Sequence, residues 1–420
     1  MGTPPIAFAE GSCLGGGSVI NGGLMWRTPP WVLEQWEREH GLTGYTEQGL
    51  KPHFERIETQ MHVKRHELEE DSNLDSLLLH RAAERLDWKS VLVPRAVINC
   101  IYENLCPTGC KSGAKQSMLQ TYIPLAQQFG ARILCGCRAV RITASGGRAK
   151  TVEAQSVSGA EKKTISIDFE NLYLAGGAVQ TPHLLRRSGL SRKAGSKLEF
   201  HFNLKFVALF DKPIHASHGT MFTTQIQQFE KQGILICASN TNSTYIATTL
   251  SHFDNATINH VLGNSSRAGI FVAMTRPTSK ARVSSLTGDR PFVYYKFDPT
   301  DMKDIVFAIR KTVQVLFEGG ASEIYLPIAG SRAIKAPEEL DKVLENLKPK
   351  ALELITVHVM ASCPMGPDRN QSIVNPEARL WNAENVYLAD AGILPTNVGE
   401  SPQGTIMAFV SEAIKRQLNP

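Results

Sequence analysis

Three residues of types that catalyse reactions or bind ligands occur together in the C-terminal part of the chain. His358 follows the β-branched apolar run Leu354–Val357, and Asp390 ends a short apolar strand at 386–389. Ser401, followed by proline, has the residue types that begin a helix. Imidazole exchanges protons near neutral pH, and a helix N-terminus stabilises negative charge. Because ligands of open α/β sheets bind where strands end and helices begin, we expect these groups at one crevice.

A glycine-rich segment near the start, residues 11–28, is the second feature with ligand-binding chemistry. Its sequence, GSCLGGGSVINGGLMWRT, would let backbone N–H groups approach a ligand closely. It matches neither the dinucleotide-binding G-x-G-x-x-G pattern nor a P-loop. Glycine-rich turns are also common as plain structure, so both interpretations stay open.

Hydrophobic periodicity predicts the elements that position these groups. We expect helices at 30–60, 74–86 and 302–317, a charged helical stretch at 331–353, and a closing helix that begins at Ser401-Pro402. We expect strands at 132–142, at 172–174 and in the hairpin 151–169, and several more between 200 and 330. The unit 169–190 reads as strand, tight turn and helix, with Thr181 as N-cap and Pro182 as first helical residue. The charged segment 62–71 is expected to be a solvated helix face or loop.

Composition narrows the class of protein. The chain has 420 residues, 42% of them hydrophobic, and a net charge of +5 with dispersed Lys and Arg, so we expect no nucleic-acid partner. No apolar run approaches the roughly 20 residues of a membrane span. The first residues lack the pattern of a secretory signal, so a cytoplasmic location with reduced thiols is expected. Cys106 and Cys110, or Cys135 and Cys137, could be metal half-sites, but their spacing favours buried thiols and we predict no metal.

Four separated motifs resemble one family. They are GSCLGGGSVINGGLMWRTP, CPTGCKSGAKQSMLQTYIPLA, LYLAGGAVQTPHLLRRSGL, and HVMASCPMG with NVYLADAGILP and VGESPQGTIMA. In this order they are similar to the glucose–methanol–choline (GMC) oxidoreductases, flavoproteins that bind FAD and mostly oxidise alcohols, and in particular to the branch of bacterial and long-chain alcohol oxidases. The resemblance covers nearly the whole chain.

The resemblance implies a set of FAD-binding residues. The flavin ring and phosphates would contact one loop, and the adenine, ADP, ribityl and pyrimidine portions would contact four other places. In chain order these residues are Gly16, Gly17, Ser18, Asn21, Gly22, Val140, Ala175, Gly176, Asp390, Ala391, Gln403 and Thr405. The resemblance also implies that His358 is the active-site base, with Ser401 at the position of its usual His or Asn partner. A base for the hydroxyl proton is what hydride removal from an alcohol needs.

Two departures from the family pattern affect the residues beside His358 and the expected binding of FAD. Glu400-Ser401-Pro402 stands where the family has x-N-P, so Ser401 keeps the helix cap while Glu400 brings a carboxylate near the flavin. The family also opens with a strand, G-x-G-x-x-G and helix, and only ten residues precede Gly11 here. We therefore expect a second polypeptide or an upstream coding segment to supply that unit.

The fold expected is α/β, with an incomplete doubly wound FAD-binding sheet and an antiparallel-sheet α+β substrate domain. The predicted regions are 1–199 and 331–420 for FAD and 200–330 for the substrate, a hydrophobic alcohol. The predicted function is FAD-dependent oxidation of a CH–OH group. Two alternatives remain: a lyase or isomerase that keeps His358 but has lost FAD, and a partner-dependent fragment.

Overall fold

The structure is a computed structural model that describes residues 3–66, 68, 74–157, 163–285 and 290–418. The helices are α1 (Gly17–Ile20), α2 (Pro30–His40), α3 (Glu47–Gln60), α4 (Leu74–Arg85), α5 (Tyr122–Gln128), α6 (Gly177–Arg187), α7 (Ser243–Thr249), α8 (Asn255–Gly263), α9 (Asp301–Glu318), α10 (Glu339–Leu344) and α11 (Gln403–Leu418). Among the helices of these residues, none combines the length and apolar character that crossing a bilayer requires.

The strands are short outside the central region. They are β1 (Ile6–Phe8), β2 (Val63–Arg65), β3 (Ser90–Leu92), β4 (Pro94–Ala96), β5 (Cys137–Ser145), β6 (Arg148–Ser156), β7 (Thr164–Asp168), β8 (Leu172–Leu174), β9 (Glu199–Phe200), β10 (Phe202–Phe210), β11 (Thr224–Ile226), β12 (Ile234–Ala238), β13 (Ala268–Thr275), β14 (Lys280–Ser284), β15 (Phe292–Lys296), β16 (Ala321–Tyr325), β17 (Leu354–Thr356), β18 (Val359–Met360) and β19 (Val386–Leu388).

One largely antiparallel sheet forms the centre of the molecule. Its order is β1-β17-β10-β13-β12-β11-β3, with β16 also paired to β10. Only β1 and β17 run parallel. A second sheet consists of β8 and β19, which are parallel, and a third is the antiparallel β5-β6-β7. The mixed α/β class predicted from sequence is confirmed, with an antiparallel sheet in the middle of the chain.

The described residues form three apolar cores, and the smallest packs α7 and α8 against the central sheet at Val207 and Ile270. The largest core fills the space between the central sheet and α9, and Phe206, Ile236, Ala273 and Ile309 are fully buried there. The second core gathers α2, α3 and α11 with β8 and β19, around Phe409, which contacts the rings of Trp36 and Tyr45. Burying aromatic side chains of this size contributes about 1.5–3 kcal/mol each.

Several boundaries differ from the predictions. The helix of the 169–190 unit begins at Gly177, so Thr181 and Pro182 lie inside it instead of capping it. The N–H of Gly177 is satisfied by Asp390, which is far away in sequence and could not be read locally. The closing helix begins at Gln403; its first carbonyl acceptor is Pro402, which the Ile406 N–H contacts at 2.9 Å.

Three further segments show where local patterns are ambiguous. The strand expected at 132–142 is present only from Cys137, and the stretch 331–353 is helical only at Glu339–Leu344 and in a short 3₁₀ turn. Charge alone does not make a helix when prolines interrupt the stretch. The segment 62–71 contains β2, and its residues 67 and 69–71 lie outside the described residues.

Candidate active site

Two histidines contact each other where β10 begins and shortly after β17 ends. Nδ1 of His358 lies 3.2 Å from Nδ1 of His201, and the His201 backbone N–H donates to the His358 carbonyl. The rings meet edge to face, with centroids 5.4 Å apart. The other ring nitrogens are engaged as well: Nε2 of His358 lies 3.4 Å from Oγ of Ser401, and Nε2 of His201 accepts from Gly399 N–H at 3.1 Å. The predicted pair His358 and Ser401 is thus in contact, and His201 extends it.

Burial keeps both imidazoles neutral. It lowers the pKa of His358 to about 4. For His201, burial together with the neighbouring His358 and Arg276 holds the pKa well below its ordinary value. A neutral imidazole carries one donor and one acceptor nitrogen. At neutral pH each histidine can therefore accept a proton without first having to release one.

Glu400 lies beside the histidine pair and is itself buried. Its Oε1 accepts from the Ser401 N–H at 2.9 Å and its Oε2 accepts from Nε2 of Gln225 at 2.7 Å. Burial raises the pKa of Glu400 to about 7, and these two hydrogen bonds only partly oppose that shift. Glu400 therefore changes charge near neutral pH, one residue away from Ser401.

The glycine-rich loop meets the first turn of α11. The Asn21 side-chain amide donates to Gln403, and Thr28 Oγ1 lies 2.9 Å from the hydroxyl of the fully buried Thr405. Ser18 Oγ accepts from the Met118 N–H at 3.0 Å. Asn21, Gln403 and Thr405, predicted to face the flavin ring, are therefore close together, and they adjoin Ser401 in sequence.

The glycines of this loop have different physical roles. A Cβ added at Gly16 or Gly17 would meet no atom within 4 Å, so that side of the loop is open. Gly16 has a φ of 55°, a conformation that glycine adopts without strain. At Gly22, by contrast, a Cβ would come within 2.7 Å of Leu24 and Phe222. Gly22 therefore permits close packing behind the loop, whereas Gly16 and Gly17 leave space in front of it.

Two buried cations hold the back of the loop, and the sequence analysis missed both as functional residues. Lys115 Nζ donates to the carbonyls of Val19, Asn21 and Cys106, at 2.5, 2.8 and 2.7 Å. Arg95 is fully buried and donates from Nη2 to the Gly22 carbonyl at 2.7 Å. Lys115 lies in the family motif CPTGCKSGAKQSMLQTYIPLA, so the motif could have identified it. Arg95 carries no such signal.

Asp390 organises the second group of predicted site residues. Its Oδ2 accepts from the Gly177 N–H at 2.9 Å and from Thr181 Oγ1 at 2.5 Å, and its Oδ1 accepts from the Gly392 N–H at 2.8 Å. The carboxylate is thus occupied with holding α6 against the end of β19. Burial raises the pKa of Asp390 although the three donors oppose this.

The remaining predicted residues are Ala175, Gly176, Ala391 and Val140. Ala175 and Gly176 are exposed between β8 and α6, and the Ala391 carbonyl accepts from the Ala361 N–H, three residues after His358. Val140 lies at an irregularity in the β5-β6 register, where a bulge re-aims the strand. Among the described residues, no hydrogen bond joins Val140 to the other candidates, so its role stays a prediction.

His201 is the other functional candidate that sequence reasoning missed. It stands in the apolar run EFHFNLKF, whose pattern indicates a strand and gives no reason to select the histidine. Its proximity to His358 follows from the pairing of Asn203 in β10 with Ile355 in β17, a contact between distant parts of the chain. Across the described residues, no group of three or more His, Cys, Asp or Glu side chains could hold a metal, and the eight cysteines are free thiols.

The donor set fits the ring end of FAD. The open face of Gly16 and Gly17 adjoins the first turn of α11, whose leading N–H groups have no acceptor within the helix. Such donors suit the acceptor-rich pyrimidine edge of a flavin, and the small residues allow a flat ring to approach. At the phosphate end the side chain of Asp390 is already bonded, so contacts there would come from the backbone of the neighbouring residues.

Comparison with known proteins identifies the family. Two family models described as GMC oxidoreductase match residues 2–203 and 277–409. An uncharacterised GMC-type oxidoreductase of Sinorhizobium fredii is 30% identical over 412 residues, which are 97% of this chain and 81% of that protein. A long-chain-alcohol oxidase of Arabidopsis thaliana is 24% identical over 439 residues, covering 96% of this chain and 58% of the oxidase. Because the N-terminal model matches from residue 2, the comparisons give no support to a second polypeptide.

Solved structures share the fold. Pyridoxine 4-oxidase from Mesorbium loti superimposes with a TM-score of 0.72 at 17% identity and covers 98% of this chain and 84% of its own. An FAD-dependent oxidoreductase from Chaetomium thermophilum gives a TM-score of 0.66 at 14% identity, covering 96% of this chain and 86% of its own. The resemblance inferred from the four motifs is therefore confirmed. This chain belongs to the GMC oxidoreductases, a family of FAD-dependent flavoproteins.

Proposed function

We propose that this chain oxidises the CH–OH group of an alcohol, with His358 as the base that accepts the hydroxyl proton. The hydrophobic character of that alcohol and the cytoplasmic location expected from sequence are parts of the proposal. FAD, when bound, supplies the acceptor for the hydride. The observation that carries the proposal is the contact of His358 Nε2 with Ser401 Oγ at 3.4 Å, directly before the first turn of α11.

Separate residues would bind the flavin, bind the substrate hydroxyl and accept its proton. Gly16, Gly17, Asn21, Gln403 and Thr405 would hold the flavin ring beside the histidine. Ser401 Oγ and His358 Nε2 would together bind the substrate hydroxyl, one on each side. Partial burial of His358 lowers its pKa to about 4, so the imidazole is neutral at physiological pH and can take a proton.

Proton acceptance at Nε2 needs a particular tautomer of His358. Its hydrogen must be on Nδ1 and be donated to Nδ1 of His201. His201 then carries its own hydrogen on Nε2, which loses the bond from the Gly399 N–H. The other tautomer keeps that bond and makes His358 Nε2 a donor toward Ser401. Because the two differ by about one hydrogen bond, or ~0.5–1.5 kcal/mol, we propose that substrate binding selects the reactive one.

The first experiment is the visible spectrum of the purified protein, before and after anaerobic addition of a primary alcohol. We expect flavin absorbance that the alcohol bleaches. A folded, colourless protein that takes up no added FAD would refute the proposal, and turnover without flavin would indicate a lyase or isomerase instead.

The second experiment replaces His358. His358→Asn should retain the flavin spectrum and slow bleaching by about 10²–10⁴-fold, the usual contribution of a general base. His218 is exposed, so His218→Asn is a matched control that should react at the wild-type rate. Equal rates for the two variants would exclude His358 as the base.

A further inference from the structure

A serine, a histidine and a glutamate form a hydrogen-bonded group between α3 and α11. Ser411 Oγ lies 2.7 Å from Nδ1 of His53, and Nε2 of His53 lies 2.8 Å from Oε2 of Glu412. Ser411 is about 12 Å along α11 from Gln403, at a rise of about 1.5 Å per residue. A hydroxyl bonded to an imidazole whose other nitrogen is bonded to a carboxylate is the arrangement of a serine nucleophile and its base. The proposed alcohol oxidation uses none of these three side chains.

The positions of the hydrogens in this group follow from the chemistry of its members. Burial opposes ionisation of Glu412, but the bonds from Arg416 and His53 hold its pKa below the ordinary value, so it is a carboxylate that only accepts. Burial lowers the pKa of His53, so at physiological pH its ring is neutral and carries one hydrogen, on the Nε2 that faces Glu412. Nδ1 is therefore an acceptor, and the Ser411 hydroxyl donates to it. The serine proton already points at the atom that would receive it during a nucleophilic attack.

Arg56 supplies positive charge at the serine oxygen. Its Nη2 donates to Ser411 Oγ, so the guanidinium lies where negative charge would develop when that oxygen attacks a carbonyl group. Ser411 lies inside α11, where backbone N–H groups are bonded to carbonyls of the preceding turn and cannot bind an oxyanion. A side-chain donor has to take that role here, and Arg56 is in position for it.

A cavity of about 540 Å³ gives a substrate access to this group, and His53, Arg56 and Ser411 all line it. Ser411 is half-buried, so its hydroxyl can be reached from the cavity. Most of the other lining residues are apolar, among them Ile57, Met118, Ile406, Val410 and Ile414. A cavity of this volume with an apolar lining and a few convergent polar groups is typical of small-molecule sites. It suits a molecule with a polar reacting group and an apolar chain.

We propose that Ser411, His53 and Glu412 form a second catalytic site, which hydrolyses carboxylic esters with an apolar acyl chain. Ser411 Oγ forms a bond to the ester carbonyl carbon while its proton passes to His53 Nδ1, and Arg56 stabilises the oxyanion. The bond from that carbon to the alcohol oxygen then breaks, and the alcohol leaves with the proton from Nδ1.

Water completes the cycle. It attacks the acyl carbon and gives a proton to His53 Nδ1, the bond from the carbon to Ser411 Oγ breaks, and Oγ takes that proton back as the carboxylic acid leaves. Glu412 holds the imidazole in the required tautomer throughout. The reaction needs no flavin, so it is independent of the proposed alcohol oxidation.

The first test is covalent labelling of the purified protein by an alkyl fluorophosphonate, in which an activated serine oxygen displaces fluoride from phosphorus. We expect one adduct, located on Ser411 by mass spectrometry of the digested protein, and none in Ser411→Ala. His53→Gln should slow labelling about 10²–10⁴-fold, the usual contribution of a general base. Ser251 is exposed, so Ser251→Ala is the matched control and should be labelled at the wild-type rate.

The second test is turnover of p-nitrophenyl butyrate and p-nitrophenyl acetate, followed by release of nitrophenolate. The butyrate has two more methylene groups to bury against the apolar lining, so its kcat/KM should be about tenfold higher.

Three results would overturn the inference: a wild-type protein without an adduct on Ser411, labelling at equal rates in wild type and His53→Gln, or equal ester turnover by wild type and Ser411→Ala. Should His53→Gln fold poorly, His53→Asn is measured in the same assay. A protein that is labelled on Ser411 but never bleaches with an alcohol would refute the proposed oxidation alone. One that bleaches but is not labelled would refute the esterase site alone.

Discussion

At the scale of single residues, the proposed alcohol oxidation depends on which nitrogen of His358 carries the hydrogen. Three contacts decide this: Gly399 N–H to His201 Nε2, His201 Nδ1 to His358 Nδ1, and His358 Nε2 to Ser401 Oγ. The backbone N–H of Gly399 cannot change its role, so it opposes the tautomer in which His358 Nε2 is a base. In the proposed reaction, His201 would therefore act through His358, as a positioning residue.

Substituting His201 in two ways separates these effects. His201→Asn places Oδ1 where Nδ1 was, so it can accept from His358 Nδ1–H and should keep the rate within a few-fold of wild type. His201→Leu leaves that buried donor unsatisfied, which costs about 1–3 kcal/mol and should lower kcat about 10- to 100-fold. The measurement is kcat over a range of pH, with the flavin spectrum checked in each variant.

The pH profile shows whether the loss is more than structural. Leucine should also move the acid limb set by His358, while asparagine should leave it near that of wild type. Wild-type kinetics in His201→Leu, or an equal loss in both variants, would contradict the positioning role.

At the scale of elements, Lys115 determines how the glycine-rich loop is held. Burial lowers its pKa to about 8, so it is still mostly charged at neutral pH, and it donates to two carbonyls of the loop, those of Val19 and Asn21. Lys115→Met removes three charge-assisted bonds while keeping most of the side-chain volume. We expect FAD to bind about tenfold or more weakly, measured by flavin fluorescence quenching.

Lys111 provides the matched control for that prediction. It is exposed in the same segment, so Lys111→Met makes the same chemical change without touching the loop. FAD affinities that agree between Lys111→Met and Lys115→Met would show that the loop does not need the buried ammonium.

Elements with strong local signals were predictable from sequence, and elements fixed by distant contacts were not. The strand 172–174 and the helix near 302–317 agree with β8 and α9 to within a residue, because their apolar periodicity is unambiguous. The start of α6 was wrong because Asp390, 213 residues away, supplies the acceptor for Gly177. The residues near α6 favour Thr181-Pro182 as its start, because the contact with Asp390 comes from a distant part of the chain and leaves no local pattern.

At the scale of the whole molecule, the central sheet unites distant parts of the chain. β1 from the start and β17 from the end pair in parallel, and β17 also pairs with β10 in the middle. Strands from all three predicted regions, 1–199, 200–330 and 331–420, are part of this sheet. The regions therefore divide the sequence, but they do not divide the central sheet. Motif order was enough to predict the family and to select His358, but the position of His201 beside it depends on this register.

Two buried carboxyl groups make the stability of the whole fold depend on pH. Asp75, at the start of α4, is fully buried; its Oδ1 accepts from the Ser76 N–H, and its Oδ2 has no hydrogen-bond partner. Burial raises its pKa to about 7, and Glu400 has a similar value for the same reason. In the unfolded chain both groups titrate near pH 4.

The sign of the effect follows from proton counting. Between the unfolded and folded pKa values the folded protein binds more protons, so its stability is complete below about pH 4 and is lost as pH rises through about 7. Each carboxyl then opposes folding by a few kcal/mol, since one pKa unit corresponds to about 1.4 kcal/mol.

Replacing Asp75 by asparagine should remove the part of the stability loss at high pH that Asp75 causes. The variant keeps an acceptor for the Ser76 N–H but carries no charge, so at about pH 8 its free energy of unfolding should exceed that of wild type, while near pH 4 the two should converge. Urea titrations at both pH values measure the difference. Asp254 provides a contrast, because its bond from the Thr257 N–H lowers its pKa, and Asp254→Asn should cost stability at neutral pH and nothing in acid. A wild-type protein whose stability does not fall from about pH 5 to about pH 8, relative to Asp75→Asn, would show that Asp75 is not held protonated by burial.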